Sequence, residues 1–141
     1  MLICGLGGSR CCSDGWWGLD YVGSEGLRKG GGSTVLVGSF SVSVQWKGVE
    51  DGFTWVYSGV YGPNDNNLGS DLWDELVGIQ QYWNVPWCCF GDFNVVRFPS
   101  ERRGGSRLTS AMEKFSEFIE DLNLIDLPLE GGRFTWYSGT E

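Results

Sequence analysis

At 141 residues, with 41% hydrophobic and 20% charged side chains, the chain is the size of one domain with one core. A formal net charge of −8 excludes general capture of DNA or anionic lipid by bulk charge, and the absence of His removes every mechanism that needs an imidazole. A mean hydropathy of −0.17 and the lack of any apolar run near the ~20 residues of a membrane helix exclude a spanning helix and predict an intracellular protein.

Residues 1–33 scatter glycines such as Gly5, Gly15 and Gly30 without a period of 2 or 3.6, which predicts an irregular, Gly-rich segment. From Thr34 to Trp46, Val35, Val37, Phe40, Val42 and Val44 nearly alternate with small or polar residues, the period of a strand. After a turn at Lys47 to Gly52, the run Phe53 to Tyr61 predicts a second strand, antiparallel to the first. Ser70 as N-cap, with Asp71, Asp74 and Glu75 following, predicts a helix that carries Leu72, Leu76, Ile79 and Trp83 on one face. Trp87 to Phe90 reads as a short strand buried on both faces and ending in Gly91-Asp92. Ser110 and Glu113 form a capping box for a second helix, which turns Met112, Phe115, Ile119 and Leu122 inward and ends near Asn123. Ile125 to Leu127 and Arg133 to Tyr137 are expected short strands.

The five cysteines form no C-x-x-C pair and are expected to be reduced, with Cys88 and Cys89 as small core residues. Chemistry is best sought at Asp92 and Asn94, delivered by an apolar strand to its carboxyl end, where ligands gather in α/β sheets. If the chain stays extended across Phe93, both side chains face one site. The carboxylate can take a proton or hold a water, while the amide can donate to a phosphate oxygen. The simpler reading is a Gly-Asp turn after a buried strand. Tyr61 and Asn64 sit in a similar place after the preceding strand, with a Pro-Asn turn as the plain alternative. Arg97, Arg102, Arg103 and Arg107 make a local basic loop in an acidic chain, suited to phosphate contact or to solvation alone.

Five segments occur in the order seen in the endonuclease domains of LINE-type non-LTR retrotransposons. They are Val60-Tyr61-Gly62-Pro63-Asn64, Leu72-Trp73-Asp74-Glu75-Leu76, Pro86-Trp87 through Gly91-Asp92-Phe93-Asn94, Ser100-Glu101-Arg102-Arg103-Gly104-Gly105 and Gly132-Arg133-Phe134-Thr135-Trp136. From Thr34 to Glu141 the chain therefore resembles these apurinic-endonuclease relatives within the endonuclease/exonuclease/phosphatase superfamily. The resemblance implies a piece of a four-layer α/β sandwich, with mixed β-sheets flanked by helices, and Mg2+-dependent cleavage of DNA by hydrolysis. Tyr61 and Asn64 match the family's phosphate-contacting tyrosine motif. Asp92 and Asn94 match the pair that orients the attacking water and supports the phosphate, and Arg97, Arg102 and Arg103 are the candidate DNA contacts.

The departures shape the expectation. Residues 1–34 hold neither the family's Asn-bearing first strand nor the strand whose Glu binds the metal, and Glu25 lacks that context. The family's Ser-Asp-His motif has no counterpart in a chain without His. The chain thus reads as a partial domain over 34–141, with its metal ligands unassigned, Mg2+ not retained and cleavage lost. DNA is the expected partner, with no membrane and no small-molecule cofactor, in a nuclear setting if the protein is functional. The alternatives are a non-catalytic DNA-binding fragment and a structural remnant. Apolar sheet surface is expected to lie uncovered, foremost at Trp46, Trp55, Phe134 and Trp136.

Overall fold

The computed structural model describes residues 2–5, 34–65 and 69–127. Its strands are β1 (Leu2–Cys4), β2 (Val35–Val37), β3 (Ser41–Lys47), β4 (Thr54–Tyr61), β5 (Trp87–Asp92) and β6 (Ile125–Asp126). Two helices, α1 (Gly69–Trp83) and α2 (Ser110–Asp121), and a 3-10 turn at Pro99–Glu101 complete the described elements. The strands form one mixed sheet in the order β2-β3-β4-β5-β1-β6. β4 and β5 run parallel, while the other neighbours are antiparallel. A parallel pair needs a long crossover, and α1 supplies it. The fold class is α/β, as the sequence predicts.

Strand alternation assigns the two faces of the sheet. Val56, Trp87 and Ile3 share one face with Val60 and Cys89, and there they meet Leu72, Leu76 and Ile79 of α1 and Phe115, Phe118 and Ile119 of α2. Both helices therefore cover the same face. Three polar groups lie under them and satisfy one another. The Ser43 and Ser58 hydroxyls are 2.6 Å apart, and the Trp87 indole N–H donates to Ser58 Oγ at 2.8 Å. An unpaired group at this depth costs about 1–3 kcal/mol, so the network fixes how β3, β4 and β5 stack beneath the helices.

The opposite face is apolar too and only partly exposed, with Cys4 and Cys88 buried at 1% exposure. Val35, Val44, Tyr57, Cys88 and Cys4 line one cross-strand row, and Val37, Val42, Gly59 and Phe90 line the next. Val37 is 73% exposed, Tyr61 66% and Val42 47%, so uncovered sheet surface is present as expected, although not where expected. Trp46 and Trp55 are half-buried rather than exposed, because they oppose each other across β3 and β4 and Phe53 stacks on Trp55 at 5.6 Å. Phe134 and Trp136 lie outside the described residues, as do the strand expected at Arg133 to Tyr137, Glu25 and most of the Gly-rich segment.

Several local expectations are corrected. The run from Thr34 to Trp46 is two antiparallel strands, because the chain reverses between Val37 and Ser41. Leu2–Cys4, expected to be irregular, is a strand between β5 and β6; three residues are too few to show a period. Its register sets Cys4 opposite Cys88, and the two form a disulfide rather than remaining reduced thiols. Cys89 is a free, fully buried thiol whose pKa burial pushes up. Ser70 lies inside α1 rather than capping it. The N-cap of α2 is Thr109, whose Oγ accepts from Met112 N at 3.3 Å, and Ser110 is the first helical residue. Only the first half of β5 is buried on both faces, since Phe90 is exposed.

Candidate functional site

Because β4 and β5 are parallel, their carboxyl ends leave the sheet side by side, with Tyr61 opposite Asp92 in the register. Two glycines let the backbones approach this closely. Gly91 has φ +139°, a conformation that L side chains rarely adopt, and a methyl group there would run into the Val60 carbonyl oxygen. A methyl at Gly62 would strike the Phe93 backbone. Gly62 N donates to Asp92 O at 2.7 Å and ties the two exits together.

The segment after Asp92 turns instead of staying extended. Asn94 N donates to Asp92 Oδ1 at 2.9 Å, and Asn94 itself is left-handed at φ +54°, which Asn tolerates better than most residues. Its Nδ2 donates to Gly62 O at 2.6 Å. Between them Phe93 points into the core, stacking on Phe115 at 5.5 Å and on Trp73 at 6.4 Å. A buried aromatic anchor and a three-point hydrogen-bond tie thus hold a short polar loop whose flanking side chains, Asp92 and Asn94, are both exposed.

Tyr61, Asp92 and Asn94 are therefore brought together at one rim of the sheet. Asn64 is exposed on the loop leaving β4. A shallow depression of about 30 Å³ opens beside Asn94, lined by Pro63, Asp65, Trp73, Phe93 and Lys114 among others. The basic loop divides. Arg97 is largely committed to structure: its guanidinium pairs with Glu120 at 3.2 Å, lies over the Phe98 ring at 5.1 Å, and its side chain is only 19% exposed. Its backbone N–H donates to Glu101 at 2.7 Å. Arg102, Arg103 and Arg107 are exposed.

Glu75 is the residue whose part the sequence hides. Its position in the first turns of α1 suggests only a favourable helix-dipole charge. In the structure its carboxylate accepts from Ser39 N at 2.8 Å, from Phe40 N at 3.2 Å and from Ser41 Oγ at 2.6 Å. It thereby fastens the β2–β3 turn to α1. Phe40 O in turn accepts from Tyr61 N at 2.9 Å, so the carboxylate steadies the end of β4 as well.

Among the described residues no three or more His, Cys, Asp or Glu side chains gather as a metal site, and one oxygen of Asp92 is already engaged by Asn94 N. No protein-family model matches the chain, and no curated protein is significantly similar to it.

Proposed function

We propose that the chain is an endonuclease-like domain of the LINE-type non-LTR retrotransposon kind, which contacts DNA phosphates at the Tyr61–Asp92–Asn94 rim without carrying out Mg2+-dependent cleavage. The observation that supports this most is the alignment of Tyr61 with Asp92 across parallel β4 and β5, with Asn94 tied beneath them. Asn94 Nδ2 keeps one N–H beyond its bond to Gly62 O, and that N–H can donate to a phosphate oxygen. The Tyr61 hydroxyl can donate to another. Asn64 extends the same edge, and exposed Arg102 and Arg103 on the following loop supply the charge that phosphate recognition needs.

Cleavage asks for more. The attacking water must lose a proton and the phosphate's developing charge must be neutralised, tasks usually shared by a metal and a base. Asp92 can orient a water and accept a proton, but the chain has no His, and among the described residues no three or more His, Cys, Asp or Glu side chains gather to hold a metal. Catalytic groups act as a unit, so losing them removes several orders of magnitude in rate. In this reading the protein is nuclear and its biological partner is DNA.

The test is a supercoiled-plasmid assay with Mg2+. The purified chain is expected to nick no faster than buffer. Robust nicking abolished by Asp92→Ala would show a complete catalytic site and overturn the reading.

A further inference from the structure

Whatever the chain binds, we propose that the Cys4–Cys88 disulfide is a redox latch, whose reduction by a dithiol releases β1 and β6 from the sheet while β2–β5 and both helices stay folded. β1 is three residues long, shorter than most strands, yet it is the strand that joins β6 to β5. Its register sets Leu2, Ile3 and Cys4 against Phe90, Cys89 and Cys88 on one side, and Ile3 and Cys4 against Asp126 and Ile125 on the other. Gly5 N extends the ladder by donating to Trp87 O at 2.8 Å.

Two observations make the bond a local latch rather than a staple of the whole fold. The first is where the core lies. β1 contributes Ile3 alone to the buried cluster, whereas Val56, Val60, Leu72, Leu76, Phe115 and Ile119 belong to β4 and the two helices. Those side chains pack on one another without β1. The second is the length of chain involved. The bond joins positions 84 apart, and the next described strand after β1 begins at Val35. A short strand on a long tether pays loop-closure entropy each time it docks, and the cross-link removes that cost. With the bond cut, three residues of pairing and one apolar side chain must meet it.

The pairing is also specific. Neighbours along a strand face opposite ways, so Cys89 turns with Ile3 toward the helices, away from the side where Cys4 meets Cys88. Cys89 therefore cannot replace Cys88 while β5 stays extended.

The reaction balances with a dithiol as reductant. One of its thiolates attacks a sulfur of the Cys4–Cys88 bond, which breaks as a mixed disulfide forms; the other cysteine leaves as a thiolate and takes a proton from water. The second thiolate of the reductant then displaces the remaining cysteine and closes the reductant to a cyclic disulfide, so two electrons pass to the protein. Re-forming the bond takes a disulfide oxidant such as glutathione disulfide. Cys4 and Cys88 are each 1% exposed, so attack waits for β1 to open. Intracellular disulfides are usually transient or redox-sensing, which is the behaviour a latch in the nuclear setting proposed above requires.

The test is peptide-level hydrogen exchange on the full chain, equilibrated either with glutathione disulfide or with dithiothreitol, with linked peptides mapped in the oxidised sample. A Cys4–Cys88 link is expected there. On reduction, peptides holding residues 2–5 and 125–126 should exchange roughly tenfold faster or more, while those covering β3, β4 and α1 keep their rates. Cys11→Ala plus Cys12→Ala should leave this response intact, and Cys4→Ala should exchange fast in β1 with or without reductant. Should Cys4→Ala fail to fold, the unmodified chain in its two redox states still decides. Cys4 found as a free thiol after the oxidising treatment would overturn the proposal. So would exchange in β1 that ignores reduction, or loosening that spreads equally through β3, β4 and the helices.

Discussion

Replacing Gly91 with Ala tests how the rim is built. The residue sits at φ +139°, and an added methyl would overlap the Val60 carbonyl oxygen of the neighbouring strand. Holding an L residue in such a glycine-only region costs about 1–3 kcal/mol. Pushing β4 away from β5 to clear the overlap adds about 1–3 kcal/mol, as overpacking does elsewhere. A loss of about 2–6 kcal/mol is therefore expected, a large part of the 5–15 kcal/mol typical of a domain. Urea unfolding at one fixed protein concentration measures it, provided the slope with urea stays constant. Gly104→Ala is the internal control, because Gly104 also has positive φ, +76°, but a methyl there meets nothing within 4 Å. That variant should lose only about 1–2 kcal/mol, the backbone part alone. Equal losses at the two sites, or a loss below about 1 kcal/mol at Gly91, would refute close strand approach as the reason for glycine.

Glu75→Gln keeps a single carbonyl acceptor and turns an N–H toward donors, so the β2–β3 turn should loosen by about 1–3 kcal/mol, with faster amide exchange at Ser39, Phe40 and Tyr61; unchanged exchange would remove Glu75 from that role. Ser58→Ala strands the Trp87 indole N–H and the Ser43 hydroxyl beneath the helices, and should cost about 1–3 kcal/mol, of which adding Trp87→Phe returns part if the indole bond is the cause. Burial, with Glu101 adding to it and Arg97 opposing, pushes the Asp126 carboxyl above its ordinary pKa. The folded chain then holds this proton more tightly than the unfolded chain, so stability falls as pH rises through the folded pKa. Asp126→Asn should raise the melting temperature at pH 7, modestly for a half-exposed group, and the gain should vanish below about pH 3.9; a gain that persists there would contradict the assignment.

Local pattern made β3, β4 and both helices legible, because apolar residues alternate along β3, fill both faces of β4 as β-rich residues, and recur on one face of each helix. The rim was legible for the same reason: apolar strands run into Tyr61 and Asp92, and a helix between them implies parallel neighbours. What stayed hidden depends on distant partners. The break between β2 and β3 is held by Glu75, more than thirty residues away. The Cys4–Cys88 pairing spans 84 residues and follows from register alone. Asn94 looked able to point the same way as Asp92, yet its left-handed turn and its bond to Gly62 emerge only once two strand ends lie side by side. The Arg97–Glu120 pair likewise depends on how α2 packs against the loop.

DNA affinity measured as a function of salt bears most directly on the central claim. Fluorescence anisotropy of a labelled duplex, titrated with the chain between about 20 and 200 mM salt, gives the number of phosphate charges neutralised from the slope of log affinity against log salt. The account predicts salt-dependent binding, with Arg102→Ala plus Arg103→Ala weakening it and reducing the slope by about 2. Absence of binding at the lowest salt, or binding whose slope ignores both arginines, would contradict it.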